Sequence, residues 1–401
     1  MQLRPHQVEA VEALSKNNKG QIIVPTGGGK TMCMITDAVK RLKDTEINTD
    51  EQVPTTLVVV APRILLAEQL STEFMNVIER EVGTISMIHV HSGKFKDIFS
   101  TTDPFTIRTF TQVSVERQII FTTYHSLHKI QESGIDVDTI YYDEAHNSVQ
   151  RNFVEAVDYF SIHAGRCFYF TATPKHSLTP MRVGMNDSDI FGEVLYNVPA
   201  PKLVEEGHIL PPKVKVYKTD ILQKDEITYD VECNQIIDNI DDHNTKKILV
   251  CAKSTKQISG LVRYPKFVIE LKNRGYDCMY ITAKTGAVIN GYKVSREEFF
   301  TTMREWGVTP DKKFVVLHHS ILSEGINVKG LEAVLFLRSM DYIGISQTIG
   351  RVIRKGCENK KYGLVCVPVY SKVGISTARK VQAVVDTVFE RGEPAISTIR
   401  R

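Results

Sequence analysis

The sequence contains no unbroken apolar run approaching the roughly 20 residues that cross a bilayer. Met1 to Lys19 is charged and helix-like, unlike a secretory leader. Both absences predict a soluble, cytoplasmic protein without membrane contact. Cysteine is sparse: Cys33, Cys167, Cys233, Cys251, Cys278, Cys357 and Cys366 are scattered and contain no C-x-x-C pair. That spacing excludes a zinc-knuckle or disulfide framework, and the apolar surroundings of several predict reduced core residues. No sequence repeat is visible. Net charge is also small, +3 in 401 residues, but unevenly spread. Residues 1–200 carry 18 basic and 24 acidic side chains, and residues 201–401 carry 32 and 23. The basic half suits a polyanionic partner.

What the chain does have is Val24-Pro25-Thr26-Gly27-Gly28-Gly29-Lys30-Thr31, a glycine-rich turn between the apolar run 21–24 and a helical pattern over 32–43. Consecutive glycines let backbone N–H groups converge on phosphate oxygens, and the helix that follows adds the positive end of its dipole. In this reading Thr26, Gly27, Gly28, Gly29 and Lys30 bind the nucleotide phosphates, with the Thr31 hydroxyl on Mg²⁺. Val24 stands where such loops normally open with glycine, so the match is to the second half of the pattern. Upstream, Leu3 to Ser15 reads as an amphipathic helix. Its Gln7 has an amide able to pair with adenine or simply to face solvent.

Apolar β-branched runs then alternate with helical patterns: 56–61, 84–90, 118–122, 139–142 and 166–170. Runs without polar alternation mark strands buried on both faces, and β/α alternation implies a parallel sheet with ligands at its carboxyl edge. Asp143-Glu144-Ala145-His146 directly follows one such strand. Asp143 is placed to hold Mg²⁺, and Glu144 to deprotonate the water that attacks the γ-phosphate. The next strand ends in Thr171-Ala172-Thr173, hydroxyls able to couple this carboxylate site, through His146, to a second one.

A proline-bracketed break at 199–201 predicts a first domain over 1–200 and a second over 201–401. Strand-like runs in the second half cover 213–217, 247–252, 278–282, 314–317, 333–337 and 364–368. Gln347-Thr348-Ile349-Gly350-Arg351-Val352-Ile353-Arg354 puts Gln347, Arg351 and Arg354 on neighbouring helical faces. Guanidinium groups so spaced suit the charge that develops on a transferred phosphoryl group.

Taken in order, TGGGKT, APRILLAEQ, TTYHSL, DEAH, TAT, SEGIN and QTIGRVIR resemble the superfamily 2 DExH-type helicases and translocases, over Leu3 to about Tyr370. Within that group the chain is most similar to compact phage UvsW-type recombination helicases and the motor subunits of restriction enzymes. The resemblance implies an α/β fold of two tandem RecA-like domains, each a mostly parallel sheet flanked by helices, with ATP in the interdomain cleft. It further implies that Pro62, Arg63, Gln69, Thr123, His125, Lys253, Ser254 and Ser323 contact a nucleic-acid backbone. Gln7, Gly325 and Gln347 join the nucleotide site on the same grounds, while Lys30, Glu144, Arg351 and Arg354 are catalytic. Asn327 stands where many relatives carry Asp, which leaves its ribose contact open.

The expected activity is that of an ATP- and Mg²⁺-dependent nucleic-acid motor, monomeric and acting on DNA in short-range unwinding, annealing or branch remodelling. Alternatives are a duplex translocase serving as motor of a larger complex, an RNA helicase, and a nucleotide-gated clamp that scarcely hydrolyses. Motifs begin near residue 3, and few residues follow Arg354, so no large accessory domain is expected. Nor is there room for a long hairpin between Asn327 and Gln347. A strand separator would have to come from Phe95 to Arg117, a stretch that reads equally as a surface excursion.

Overall fold

The computed structural model describes residues 2–44, 55–93, 98–113, 117–218, 228–319, 328–356, 360–370 and 372–399. The chain divides into two compact units, one of residues 1–25, 29–198 and 396–401, the other of residues 26–28 and 199–395.

In the first unit the strands are β1 (Lys19–Ile23), β2 (Thr55–Ala61), β3 (Ser86–Val90), β4 (Ser100–Thr101), β5 (Arg117–Thr123), β6 (Thr139–Tyr142), β7 (Arg166–Thr171), β8 (Lys175–Ser177) and β9 (Val194–Asn197). All but β8 join one sheet in the order β4-β3-β5-β2-β6-β7-β1-β9, and every pairing in it is parallel. Every residue of β2 and β6 is buried, as their β-branched and aromatic composition demands of strands covered on both faces. Around the sheet lie α1 (Pro5–Ser15), α2 (Lys30–Asp44), α3 (Ile64–Glu81), α4 (Pro104–Val113), α5 (Leu127–Ser133), α6 (Val154–His163) and α7 (Ser188–Phe191). One core layer packs Val58, Val60, Ile120, Ile140 and Tyr142 of the strands against Leu127, Ile130, Val157 and Phe160 of the helices. Because the strands run the same way, the carboxyl ends of β1, β2, β5, β6 and β7 share one edge.

A buried ion pair fixes the opposite side of this sheet. Arg166 at the start of β7 grips Asp37 of α2 with both terminal nitrogens, at 3.0 and 3.1 Å, while the Tyr141 hydroxyl donates to the same carboxylate at 2.7 Å.

The second unit has β10 (Pro212–Lys218), β11 (Lys247–Cys251), β12 (Asp277–Thr282), β13 (Gly286–Ile289), β14 (Tyr292–Val294), β15 (Phe314–His318), β16 (Ala333–Phe336) and β17 (Gly363–Val369). Its sheet runs β10-β17-β16-β11-β15-β12-β13-β14, parallel except for the antiparallel meander β12-β13-β14. Its helices are α8 (Ala200–Glu205), α9 (Thr228–His243), α10 (Thr255–Arg263), α11 (Pro265–Asn273), α12 (Arg296–Val308), α13 (Tyr342–Val352) and α14 (Lys372–Val385). Ile248, Val250, Leu317 and Leu335 of the sheet pack on Ile236, Ile240 and Ile258 of α9 and α10.

The fold is thus α/β with two RecA-like units. The chain passes between the units at 198–199, next to the expected break at 199–201, and Pro199 is the N-cap of α8. Two local features depart from the expectations. The stretch 95–117 contains α4, a regular helix whose first turn is capped by Asp103 accepting from the Thr106 N–H at 2.8 Å. Finally, a last strand, β18 (Ser397–Ile399), pairs in parallel with β8 inside the first unit. Of the described cysteines, five are buried, Cys278 is partly so, and none forms a disulfide. Cys357 lies outside the described residues.

Candidate nucleotide and nucleic-acid sites

Strand β1 delivers the chain to the phosphate loop. Val24 donates its N–H to the Thr171 carbonyl at 3.0 Å, tying the loop's root to β7. Gly27 and Gly29 then adopt φ of +90° and +89°, a region that side chains disfavour, and α2 starts at Lys30. Gln7 stands directly over this turn. Its amide nitrogen donates to the Gly29 carbonyl at 3.2 Å and its oxygen accepts the Arg4 N–H at 3.0 Å. A Cβ at Gly29 would lie 2.4 Å from that amide nitrogen. Gln7, expected to be free for a base or for solvent, is therefore buried and braces the phosphate loop.

The carboxylates stand on the same edge. Asp143 leaves β6 with its N–H on the Val60 carbonyl at 2.9 Å, and the Asp143 carbonyl accepts from the Tyr124 hydroxyl at 2.9 Å. Glu144 follows at φ 47°, ψ 53°, left-handed backbone at a residue other than glycine. Such strain persists only where the surroundings impose it, and here it turns the glutamate toward α2. Its Oε1 lies 3.3 Å from Lys30 Nζ and its Oε2 3.5 Å from His146 Nδ1. The same His146 nitrogen is 3.2 Å from the Thr171 hydroxyl and 3.4 Å from the Thr173 hydroxyl, whose N–H in turn donates to Thr171 Oγ1 at 3.0 Å. Lys30, Glu144, His146, Thr171 and Thr173 thus form one continuous polar chain.

Burial, reinforced by the adjacent Glu144 charge and opposed by Lys30, pushes the Asp143 carboxyl up to about 7. Two acids facing one lysine leave the site short of positive charge. That deficit, with hard oxygen donors on Asp143 and Thr31, fits a small divalent cation such as Mg²⁺.

Among the residues expected on nucleic acid, Arg63 and His125 are exposed after β2 and β5. Arg63 is the N-cap of α3, and the His125 ring stands edge-on to Phe153, centroids 4.7 Å apart. Pro62 is buried beside Arg63. Thr123 is buried as well, its hydroxyl 3.4 Å from that of Ser126, and Gln69 donates to Glu73 at 2.8 Å.

In the second unit Lys253 is exposed and Ser254 caps α10, its hydroxyl accepting the Gln257 N–H at 3.1 Å. The Gln257 side-chain oxygen accepts the Lys253 N–H at 2.7 Å, and its amide nitrogen donates to buried Glu232 at 2.5 Å. Glu232 also accepts from the Tyr370 hydroxyl at 2.6 Å, a network no motif announced. Asp341 caps α13 through the Gly344 N–H at 2.8 Å. Gln347 and Arg351 are one turn apart on that helix and buried. Arg354 lies two residues beyond the helix end, so the three do not share a helical surface as expected. Lys360 donates to the carbonyls of Val352, Arg354 and Leu331, a cation at a helix C-terminus where the dipole favours it. Ser323, Gly325 and Asn327 lie outside the described residues.

A glycine-rich phosphate loop, an acidic pair at the next-but-one strand and two RecA-like sheets define the class of P-loop nucleotide-binding α/β proteins. Residues 1–176 match the family described as Type III restriction enzyme, res subunit. No curated protein matches the chain. Among solved structures it is similar to the Type ISP restriction-modification enzyme LlaBIII bound to DNA, at 20% identity and TM-score 0.76, over 100% of this chain and 31% of that one. A putative HsdR subunit fragment of a type I restriction enzyme from Vibrio vulnificus matches at 17% identity and TM-score 0.64, over 99% and 68%. The DEAD-box helicase Mss116 bound to ssRNA matches at 17% and 0.64, over 100% and 75%. These likenesses are to restriction-enzyme subunits and to a DEAD-box helicase, and the structural ones share the fold. The chain spans about a third of the length of the Type ISP enzymes it matches.

Proposed function

We propose that the chain is an ATP- and Mg²⁺-dependent nucleic-acid motor, with a nucleotide-binding domain that ends near 198 and is completed by residues 396–401, and a second RecA-like domain over 199–395. The observation that carries this reading is the polar chain from Lys30 through Glu144 and His146 to Thr171 and Thr173. Without nucleotide, Glu144 is engaged by Lys30. An arriving phosphate competes for the ammonium, and release of Lys30 toward the β/γ-phosphates leaves the Glu144 carboxylate able to take a proton from the attacking water. Mg²⁺ held by Thr31 and Asp143 would neutralise phosphate charge. Gly27, Gly28 and Gly29 supply backbone N–H groups, and Arg351 and Arg354 serve the charge of the transition state. Loss of the Lys30 contact is also felt at His146, whose two threonine partners carry the change away from the nucleotide.

DNA is the favoured polymer, gripped by its backbone through Arg63, His125, Lys253 and Ser254, with the protein acting as a monomer in the cytoplasm. Among the described residues, no helix is long and apolar enough to cross a membrane. A second reading, motor of a larger assembly, draws support from the much longer Type ISP enzymes that share this fold.

The test is steady-state ATPase activity without polymer and with single-stranded, duplex and forked DNA and matched RNAs, using Lys30→Ala as the blank. Stimulation by forked DNA above duplex and RNA supports the branch-remodelling motor. Stimulation by duplex alone supports the translocase. Turnover at the blank's level with every polymer refutes both.

A further inference from the structure

Residues 174–186 leave the sheet after Thr173 at the carboxyl end of β7. In the sheet order β7 is two places from β2, which ends at Ala61, two residues before Arg63, so at the usual strand spacing the two exits are about 10 Å apart. This excursion is densely hydrogen-bonded for a surface connection. After Pro174, Lys175–Ser177 form β8, laddered to β18 with Lys175 opposite Ser397 and Ser177 opposite Ile399. Leu178 adds its N–H to the Ile399 carbonyl at 3.0 Å. The base is closed by Asn186, which accepts the Ser177 N–H at 2.7 Å and donates to the Ser177 carbonyl at 3.0 Å. Met185 donates to the Lys175 carbonyl at 2.7 Å. Within the turn, the Ser177 hydroxyl donates to the Thr179 carbonyl at 2.9 Å, and Arg182 returns its N–H to that carbonyl at 3.3 Å. Gly184 is packed so closely that a Cβ would sit 2.1 Å from the Ser177 nitrogen.

The tip this framework holds up is apolar. Leu178 is 66% exposed and Met181 87% exposed, the latter the most exposed large hydrophobic side chain among the described residues. Pro180 lies between them. Single exposed apolar side chains are ordinary, but two within four residues on one hydrogen-bonded turn are not, since surface connections are commonly polar and mobile. The flanks carry Lys175, His176 and Arg182, and no acidic residue occurs from 174 to 186. Leucine, methionine and proline between cations form the side-chain set with which proteins open a base step, the apolar groups replacing stacking while the cations hold phosphates.

We propose that Leu178, Pro180 and Met181 are a strand-separating wedge that presses on the terminal base pair of a duplex, with Lys175 and Arg182 on the flanking phosphates. This rests on the motor reading above and supplies the separator for which stretch 95–117 was the sequence candidate. The helix α4 in that stretch also exposes an apolar side chain, Phe105 at 77%, and serves as the control.

The experiment uses the full chain and a fork carrying 2-aminopurine at the first base pair, as DNA and as matched RNA, without nucleotide. Binding is read by anisotropy and base unstacking by fluorescence. The unaltered protein is expected to raise the fluorescence on one or both forks. The L178A/M181A variant should bind within about twofold but give a rise about tenfold smaller, and F105A should behave as the unaltered protein. A rise that survives in L178A/M181A, or one lost in F105A instead, overturns the wedge. Fork binding with no rise overturns it too, and if single strands still stimulate ATPase activity, the motor reading stands alone. Neither binding nor stimulation refutes both.

Discussion

His89 and His91, at the end of β3, give the first unit a built-in sensitivity to acid. Both rings are buried. The Gly93 N–H donates to His91 Nδ1 at 3.2 Å, so neutral His91 carries its proton on Nε2 and directs it to His89 Nδ1, 3.0 Å away. The His89 proton then sits on Nε2, which has no partner. A second proton on either ring would face an N–H group, and burial, aided by the neighbouring His91, depresses His89 to about 4. An unfolded histidine titrates near 6.5. Between those values the unfolded chain binds the extra proton and the folded one does not. The His89 contribution to stability is therefore flat above pH 6.5 and falls as pH drops toward 4. From the two values His89 alone removes about 2 kcal/mol by pH 5 and about 3 kcal/mol in the limit. Native-state hydrogen exchange over residues 86–93 and 117–123, corrected for intrinsic rates, measures this opening free energy at pH 7.5 and pH 5. The unaltered chain should lose about 2 kcal/mol more than His89→Gln over that interval. Equal losses would refute the reasoning, because the titration would then belong to other groups.

Three further outcomes are expected. Glu144→Gln should retain ATP binding while turnover falls by about 10² to 10⁴, read by comparing nucleotide affinity with steady-state hydrolysis; hydrolysis within a few-fold of normal removes Glu144 from the base role. Asp37→Ala strips the partly buried Arg166 guanidinium of its bidentate partner and should cost about 3 kcal/mol, checked by the midpoint of thermal or urea unfolding. Arg63→Ala should weaken binding to all polymer sequences alike and lower the slope of log affinity against log salt by about one, visible in a salt titration of anisotropy.

Strands β2, β5, β6, β11 and β15 were legible because burial on both faces requires unbroken apolar runs, such as the 57–60 and 314–317 segments. Strands that cover one face or an edge leave no such mark. Lys175–Ser177 and Ser397–Ile399 are polar and short, and their pairing joins residues more than two hundred positions apart. Helix α4 was hidden because Phe105 and Val113 point outward while Ile107 and Thr111 point inward, which blurs the periodicity. The pair Asp103-Pro104 was the available signal, an N-cap followed by proline in the first turn. At the site, motif spacing identified Lys30, Asp143 and Glu144 but not what they touch. The left-handed backbone at Glu144, the bracing role of Gln7 and the Glu232–Gln257–Tyr370 network depend on tertiary approach, to which a linear pattern is blind.

The pairing of β18 with β8 sets an order on biosynthesis. The first unit's sheet is complete once residue 197 has left the ribosome, but the turn at 177–185 lacks its supporting strand until residues 397–399 follow. At bacterial or eukaryotic rates that interval is roughly 10 to 40 seconds. Throughout it the second unit grows as an insertion within an unfinished first one, with Leu178 and Met181 on a turn whose backbone partner does not yet exist. The apolar tip is thus most hazardous to the nascent chain, and a chain cut before residue 397 would keep that hazard for life.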